Sequence, residues 1–156
     1  ERRSQLTTLA KKLGDRKPTR DDFIEAFGTR LVFAEVHSRD KKLVQYVLAR
    51  LHSHANPQPA ADFARFSIEH LRPQSEIKTE DDLAVVGGIG NLFYLDAALN
   101  DQLKDKSFAA KKRLLGTHSS RYDIADVLSA NTWGASQIAS RATRLGGVAY
   151  DSVWRL

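Results

Sequence analysis

Two short apolar segments, RFSIEHL at residues 65–71 and IGNLFYL at residues 89–95, most constrain the fold of this chain. Each has the length and the alternation of apolar and polar residues that are typical of a strand. A polar stretch and the sequence VVGG separate them, and glycines there predict a loop. Because helical patterns surround both segments, we predict a mainly α fold with a small two-stranded sheet embedded in flanking helices.

Helical spacing of apolar residues predicts six helices. The first is short and basic on its outer face, and it ends at Gly14. Its apolar positions are Leu6, Leu9, Ala10 and Leu13. The other predicted helices cover residues 20–27, 40–55, 96–104, 122–130 and 134–154. Gly146 and Gly147 interrupt the last of these, at a cost of about 1 kcal/mol for each glycine relative to alanine.

The composition of the chain excludes several kinds of chemistry, but it does not identify a binding partner. The chain has 156 residues, which fits one domain, and no cysteine, which excludes disulfides, cysteine zinc sites and thiol nucleophiles. A cytoplasmic location is weakly favoured by the same absence. The net charge of +5 suits a nucleic-acid partner, but it is as typical of a soluble domain with many surface lysines and arginines.

The sequence lacks methionine and long apolar runs, and each absence leads to an expectation about the chain as a whole. There is no methionine, so we expect Glu1 not to be a translation start and the chain to be part of a longer protein. No apolar run approaches the roughly 20 residues that span a bilayer, which predicts no membrane segment.

Four polar residues fall at the edges of the predicted strands. Glu69 and His70 end the first strand, Asn91 opens the second, and Asn100 follows nine residues later in the next helix. Histidine can act as a base near neutral pH, and carboxylate and amide oxygens favour magnesium or manganese over zinc. This order of residues is suited to metal-assisted hydrolysis of a phosphodiester.

The segments IEHLRPQ, GGIGNLFYLDAALNDQL and KSFAAKK together resemble the HNH nuclease domain at the C-terminal end of GmrSD-type modification-dependent restriction endonucleases. The shared pattern is Glu-His-x-x-Pro, then Gly-Asn-Leu, then a second asparagine nine residues after the first, then lysine. The resemblance covers most of residues 20–154. His-x-x-Pro alone is a weak motif, and the combination is more specific.

The resemblance implies a ββα-metal fold and a role for each matching residue. His70 matches the general base, and Asn91, grouped with it as catalytic, matches the asparagine that braces the loop between the strands. Glu69 and Asn100 match the ligands of one divalent ion, Mg²⁺ or Mn²⁺. An asparagine at position 100 replaces the commoner histidine. Lys104, Lys111 and Lys112 lie near the lysine positions of the family and are predicted to contact DNA phosphates.

The resemblance also implies an organisation and partners. We predict an N-terminal helical region over residues 1–58, a ββα-metal nuclease core over residues 59–115, and C-terminal helices of the same domain over residues 116–156. The implied partners are DNA and a separate N-terminal domain that senses the target and controls cleavage.

Two other functions fit the sequence. A catalytically inactive DNA-binding module would have the same basic balance. A helical interaction domain that serves the assembly of a larger protein would fit a chain without a start methionine. His52 and His54 do not suggest a metal pair, because residues two apart on a helix point to different faces, and both are predicted at the surface.

Overall fold

The computed structural model describes residues 7–8, 11–12, 14–56, 62–104 and 106–156. The apolar positions of the first predicted helix, 6, 9, 10 and 13, lie outside the described residues. Seven α-helices and two strands occur within those ranges, which confirms the prediction of a mainly α fold with a small sheet. In chain order they are α1 (Arg20–Arg30), α2 (Lys41–Ala55), β1 (Phe66–His70), α3 (Glu80–Val86), β2 (Leu92–Asp96), α4 (Ala97–Leu103), α5 (Phe108–Gly116), α6 (Ala125–Ser129) and α7 (Ala135–Val148). No helix within these ranges has the length and apolar character needed to cross a membrane.

The sheet is antiparallel, with Glu69 opposite Phe93 and His70 opposite Leu92. The prediction that the second strand starts at residue 89 is wrong, because Ile89–Asn91 form a 3₁₀ turn and β2 starts at Leu92. The carbonyls of residues 89 and 90 accept hydrogen bonds from Arg141, at 3.3 and 2.9 Å, rather than from β1. Asn91, which was predicted to open the second strand, therefore lies in the turn before it.

Two apolar clusters lie on the two faces of the sheet. Leu92 contributes to one cluster, which includes residues of α1, α2 and α7. Phe93 and Leu95 contribute to the other, which includes residues of α4, α5 and α6. Because successive side chains of a strand point to opposite faces, β2 serves both clusters at once. Both faces of the sheet are therefore covered by helices.

The glycines of α7 and of the turn before β2 permit close approach of backbones. A Cβ atom on Gly146 would lie 3.3 Å from the Cα of Ile24 in α1. A Cβ atom on Gly90 would lie 2.0 Å from the carbonyl oxygen of Ile138. The glycine at position 146, which is costly in an isolated helix, thus lets α1 pack against α7. The predicted helix over 134–154 is α-helical only to Val148 and continues as a π-helical turn over Ala149–Val153.

His52 lies in an aromatic cluster at the start of the sheet. Its ring centroid is 5.3 Å from that of Phe66, 5.6 Å from that of Tyr122 and 5.9 Å from that of Phe63. The prediction that His52 is a surface residue is therefore wrong, because it lies on the edge of the apolar face of α2 and is half-buried. His54 is exposed, as predicted.

Acidification is expected to lower the free energy of unfolding as the pH falls below about 6.5. Burial, and then the charge of Arg121, lower the pKa of His52 below its ordinary value of 6.5. Between the pKa of His52 in the folded chain and 6.5, the unfolded chain therefore binds a proton that the folded chain does not bind. The free energy of unfolding falls over this range of pH and stops falling below the folded pKa. Urea unfolding of the wild type and of His52→Phe from about pH 5 to about pH 7.5 measures this. The variant should show a weaker pH dependence, and an unchanged dependence would contradict the assignment.

Candidate functional site

Two side chains from the helices that follow β2 cap the outer edge of β1. β1 pairs with β2 along its other edge. Asn100 Nδ2, from α4, donates to Ser67 Oγ at 2.7 Å and to the carbonyl of Ile68 at 3.3 Å. Lys111 Nζ, from α5, donates to the carbonyl of His70 at 2.9 Å. Backbone carbonyls at a strand edge need partners, so these contacts fix α4 and α5 against β1.

An open cleft of about 360 Å³ lies along this edge. Three successive residues of β1, Ile68 to His70, line it together with part of the loop that follows the strand. The other polar and charged residues that line it are Glu35, Gln74, Ser75, Asn100, Asp101, Lys104 and Lys111. The cleft therefore brings together five of the seven predicted site residues, and Asn91 and Lys112 do not line it.

His70 is buried at the end of β1, with 4% of its surface exposed. Its Nε2 lies 2.8 Å from the carbonyl oxygen of Phe33. Since a carbonyl only accepts hydrogen bonds, Nε2 carries the proton and Nδ1 of the neutral ring keeps its lone pair. Burial lowers the pKa of His70, and the charge of Lys111 adds to this, although the hydrogen bond to Phe33 opposes both. The ring is therefore neutral near pH 7 and can accept a proton at Nδ1.

Glu69 and Lys111 form a buried ion pair beside His70. Lys111 Nζ lies 2.5 Å from Glu69 Oε1, and the two residues are 1% and 7% exposed. An uncompensated buried charge is strongly destabilising, so each of these charges requires the other in this packing. A fixed positive charge thus lies directly against the carboxylate that is predicted to bind a metal ion.

Asn91 is fully buried and makes four hydrogen bonds with its side chain. Its Oδ1 accepts from the backbone amide of Arg72 at 2.8 Å and from Trp133 Nε1 at 3.1 Å. Its Nδ2 donates to the carbonyl of Val86 at 2.7 Å and to that of Arg72 at 2.9 Å. These bonds tie the start of the loop after β1 to the end of α3 and to the segment before α7. The geometry gives Asn91 a bracing role and no contact with the cleft.

The three predicted phosphate-binding lysines have different surroundings. Lys104 lines the cleft with a side chain that is 67% exposed, and its Nζ lies 3.2 Å from Asp101 Oδ1. Lys111 is enclosed by its contacts to β1. Lys112 Nζ donates to the carbonyl of Ala130 at 2.7 Å. Of the three, only Lys104 has an ammonium group that is placed to meet a phosphate entering the cleft.

The carboxylate and amide oxygens that line the cleft are of the kind that Mg²⁺ prefers as ligands. No group of three or more His, Cys, Asp or Glu residues that could hold a metal occurs in the described part of the chain. Glu69 and Asn100 both line the cleft, and with Nδ2 bonded to β1, Oδ1 is the end of the Asn100 amide that could coordinate an ion. Magnesium is usually held by one or two protein oxygens and keeps several waters, so this donor set suits it better than zinc.

Arg141 supports the site, and sequence reasoning missed it. Its guanidinium is buried, donates to the carbonyls of Ile89, Gly90 and Leu92, and lies 3.7 Å from the ring centroid of Phe93. Burial lowers its pKa to about 9. The available signal was its position on the apolar face of the last helix, three residues after Ile138. Arginine there predicts a buried partner, which proved to be the turn that carries Asn91.

A family model for the C-terminal domain of GmrSD restriction endonucleases matches residues 18–148. The chain belongs to this family. The match includes both strands, all of the residues that line the cleft, and the bracing residues Asn91 and Arg141. Membership in the GmrSD C-terminal family relates the chain to restriction endonucleases and confirms the family that the sequence motifs indicate. No curated protein and no solved structure matches the chain.

Proposed function

We propose that this chain is the cleavage domain of a GmrSD-type restriction endonuclease, an HNH nuclease that hydrolyses phosphodiester bonds of DNA. The observation that carries the proposal is the His70 ring, held by its hydrogen bond to Phe33, in a cleft that Glu69 and Asn100 also line. The segment over residues 59–115 would supply these groups. Family membership supports the same activity.

His70 would act as the general base. With its Nε2 proton donated to the carbonyl of Phe33, Nδ1 can take a proton from water as the water attacks phosphorus. The hydrogen bond also holds the ring in one orientation, and it stabilises the imidazolium that forms. Burial, which lowers the pKa of His70, keeps the base unprotonated near neutral pH.

Glu69 and Asn100 would hold one Mg²⁺ or Mn²⁺ through a carboxylate and an amide oxygen. Bound there, the ion would act as a Lewis acid and offset negative charge on the phosphate and on the departing oxygen. Asn91 would keep the loop after β1 in place without touching DNA. Lys104, exposed in the cleft, would bind a backbone phosphate and attract DNA by its charge.

The expected activity is nicking or cutting of plasmid DNA by this chain. Supercoiled plasmid incubated with the purified protein and Mg²⁺ or Mn²⁺ should give nicked or linear product, and EDTA should abolish the product. Gel electrophoresis measures both.

Lys104→Ala should weaken DNA binding and reduce its salt dependence by about one phosphate contact, which a titration at several salt concentrations measures.

The second candidate is a DNA-binding module that has lost catalysis. The ion pair between Glu69 and Lys111 favours it, since the carboxylate already has a positive partner. Salt-dependent DNA binding without cleavage in Mg²⁺, Mn²⁺ or another divalent ion would establish this alternative and would contradict the proposed activity.

A DNA-cleaving domain needs control, and we place that control in a separate N-terminal domain, as the family resemblance implies. The partner that recognises the target would then lie outside this chain, while the chain itself supplies the cut. A DNA substrate and the absence of cysteine are both consistent with a cytoplasmic location.

A further inference from the structure

We propose that Lys111 is a positioning residue that holds Glu69 in place before a divalent ion binds and competes with that ion for the carboxylate. The inference rests on the proposed function, because it takes Glu69 as the ligand of the ion. It assigns to Lys111 a role different from the phosphate contact that its neighbourhood in the sequence suggests.

The packing of α5 places Lys111 on the buried face of the helix. Phe108 and Leu115, three residues before and four residues after it, pack into the apolar cluster on the same side of the sheet as Glu69. The lysine stem thus crosses an apolar layer, and its ammonium reaches β1 with 1% of the residue exposed. A group this enclosed contacts DNA only if the helix moves away from the sheet.

The ammonium of Lys111 fixes two neighbouring residues of β1 at once. Nζ lies 2.5 Å from Glu69 Oε1 and 2.9 Å from the carbonyl oxygen of His70. The first contact holds the predicted ligand and the second holds the backbone of the predicted base. In this way one cation sets the orientation of the carboxylate relative to the histidine.

The same ammonium opposes a divalent ion. Two positive charges that share one carboxylate lie a few ångströms apart, and in a partly buried site their repulsion is weakly screened. Ion binding must therefore loosen the contact of Lys111 with Glu69 or tolerate this repulsion. Replacing Lys111 with a neutral side chain of similar length should tighten Mn²⁺ binding by at least about tenfold.

Calorimetric titration of the whole chain with MnCl₂, without DNA, tests the inference. Lys111→Met should bind Mn²⁺ at least about tenfold more tightly than the wild type, and Lys111→Arg, which keeps the charge, should not. Lys104→Met is the matched control, since Lys104 lines the same cleft but is exposed, and its removal should change Mn²⁺ affinity by about twofold or less. An affinity of Lys111→Met equal to or weaker than that of the wild type overturns the inference.

Thermal unfolding in EDTA and in Mn²⁺ covers the case in which the variant folds poorly. Lys111→Gln, which keeps hydrogen-bond donors without the charge, is measured beside Lys111→Met. Stabilisation by Mn²⁺ that is larger in either variant than in the wild type supports competition for Glu69. If both variants remain unfolded with and without Mn²⁺, Lys111 is only structural and the inference is overturned.

The outcome is separable from that of the proposed function. A wild-type protein that cuts plasmid, together with a Lys111→Met variant that gains no Mn²⁺ affinity, overturns the inference and leaves the nuclease standing. A wild-type protein that never cuts DNA, together with a variant that gains Mn²⁺ affinity at Glu69, supports the inference and contradicts the nuclease.

Discussion

Replacing His70 with glutamine is expected to lower the rate of plasmid cleavage by about 10²–10⁴-fold, the usual contribution of a general base. The amide nitrogen of glutamine can reach the position of Nε2 and donate to the carbonyl of Phe33, so the buried hydrogen bond of 2.8 Å has a replacement. Glutamine cannot accept a proton from water as imidazole does. The variant thus removes the base while it keeps the packing, and the initial rate of nicking measures its effect.

A matched control distinguishes loss of the base from loss of the fold. His54→Gln makes the same change at an exposed position of α2 and should cleave at the wild-type rate. Circular dichroism and thermal unfolding of His70→Gln should show a folded protein. A folded His70→Gln that cleaves within about twofold of the wild type would exclude His70 as the base.

Replacing Asn91 with alanine is expected to lower the free energy of unfolding by about 3–5 kcal/mol. The change removes four hydrogen bonds and leaves without replacements their buried partners on Val86 and Trp133 and their half-buried partners on Arg72. Each buried polar group that loses its partner costs about 1–3 kcal/mol, and relaxation of the loop recovers part of the sum. Urea unfolding measures the difference.

Two further variants show whether the loss comes from these bonds. Trp133→Phe removes one donor to Asn91 and keeps an aromatic ring, so it should cost about 1–2 kcal/mol. Asn131→Ala, at an exposed asparagine nearby in the sequence, should change stability by less than about 0.5 kcal/mol. An Asn91→Ala variant as stable as Asn131→Ala would show that the loop after β1 does not depend on this brace.

Local patterns predicted both strands and five of the seven described helices, but not α3, which lies where a loop was predicted, or α5, and contacts distant in sequence decided the details. The apolar face of α2, with Val44, Val47, Leu48 and Leu51 buried, follows from helical spacing alone. The start of β2 does not, because Arg141, some fifty residues later, takes the carbonyls that would have extended the strand. The purpose of Gly146 is visible only once α1 lies against it.

The candidate site, too, could be predicted only in part from local sequence. The order of Glu69, His70 and Asn100 predicted that they share one site, and the structure places all three in the cleft along one edge of β1. The surroundings of the lysines could not be predicted, because burial of Lys111 depends on how α5 packs onto the sheet. The hydrogen bond from His70 to Phe33 could not be predicted either, since its acceptor is a backbone carbonyl and any residue could supply one.

The carbonyl of Phe33 limits how small a piece of this chain could carry the proposed nuclease site. Phe33 lies between α1 and α2, outside the strand–loop–strand–helix unit, and it decides which nitrogen of His70 carries the proton. A minimal unit transplanted into another protein would keep every side chain of the motif, yet its histidine could adopt either tautomer and rotate. A transplanted motif would therefore need another hydrogen-bond acceptor for Nε2 of its histidine.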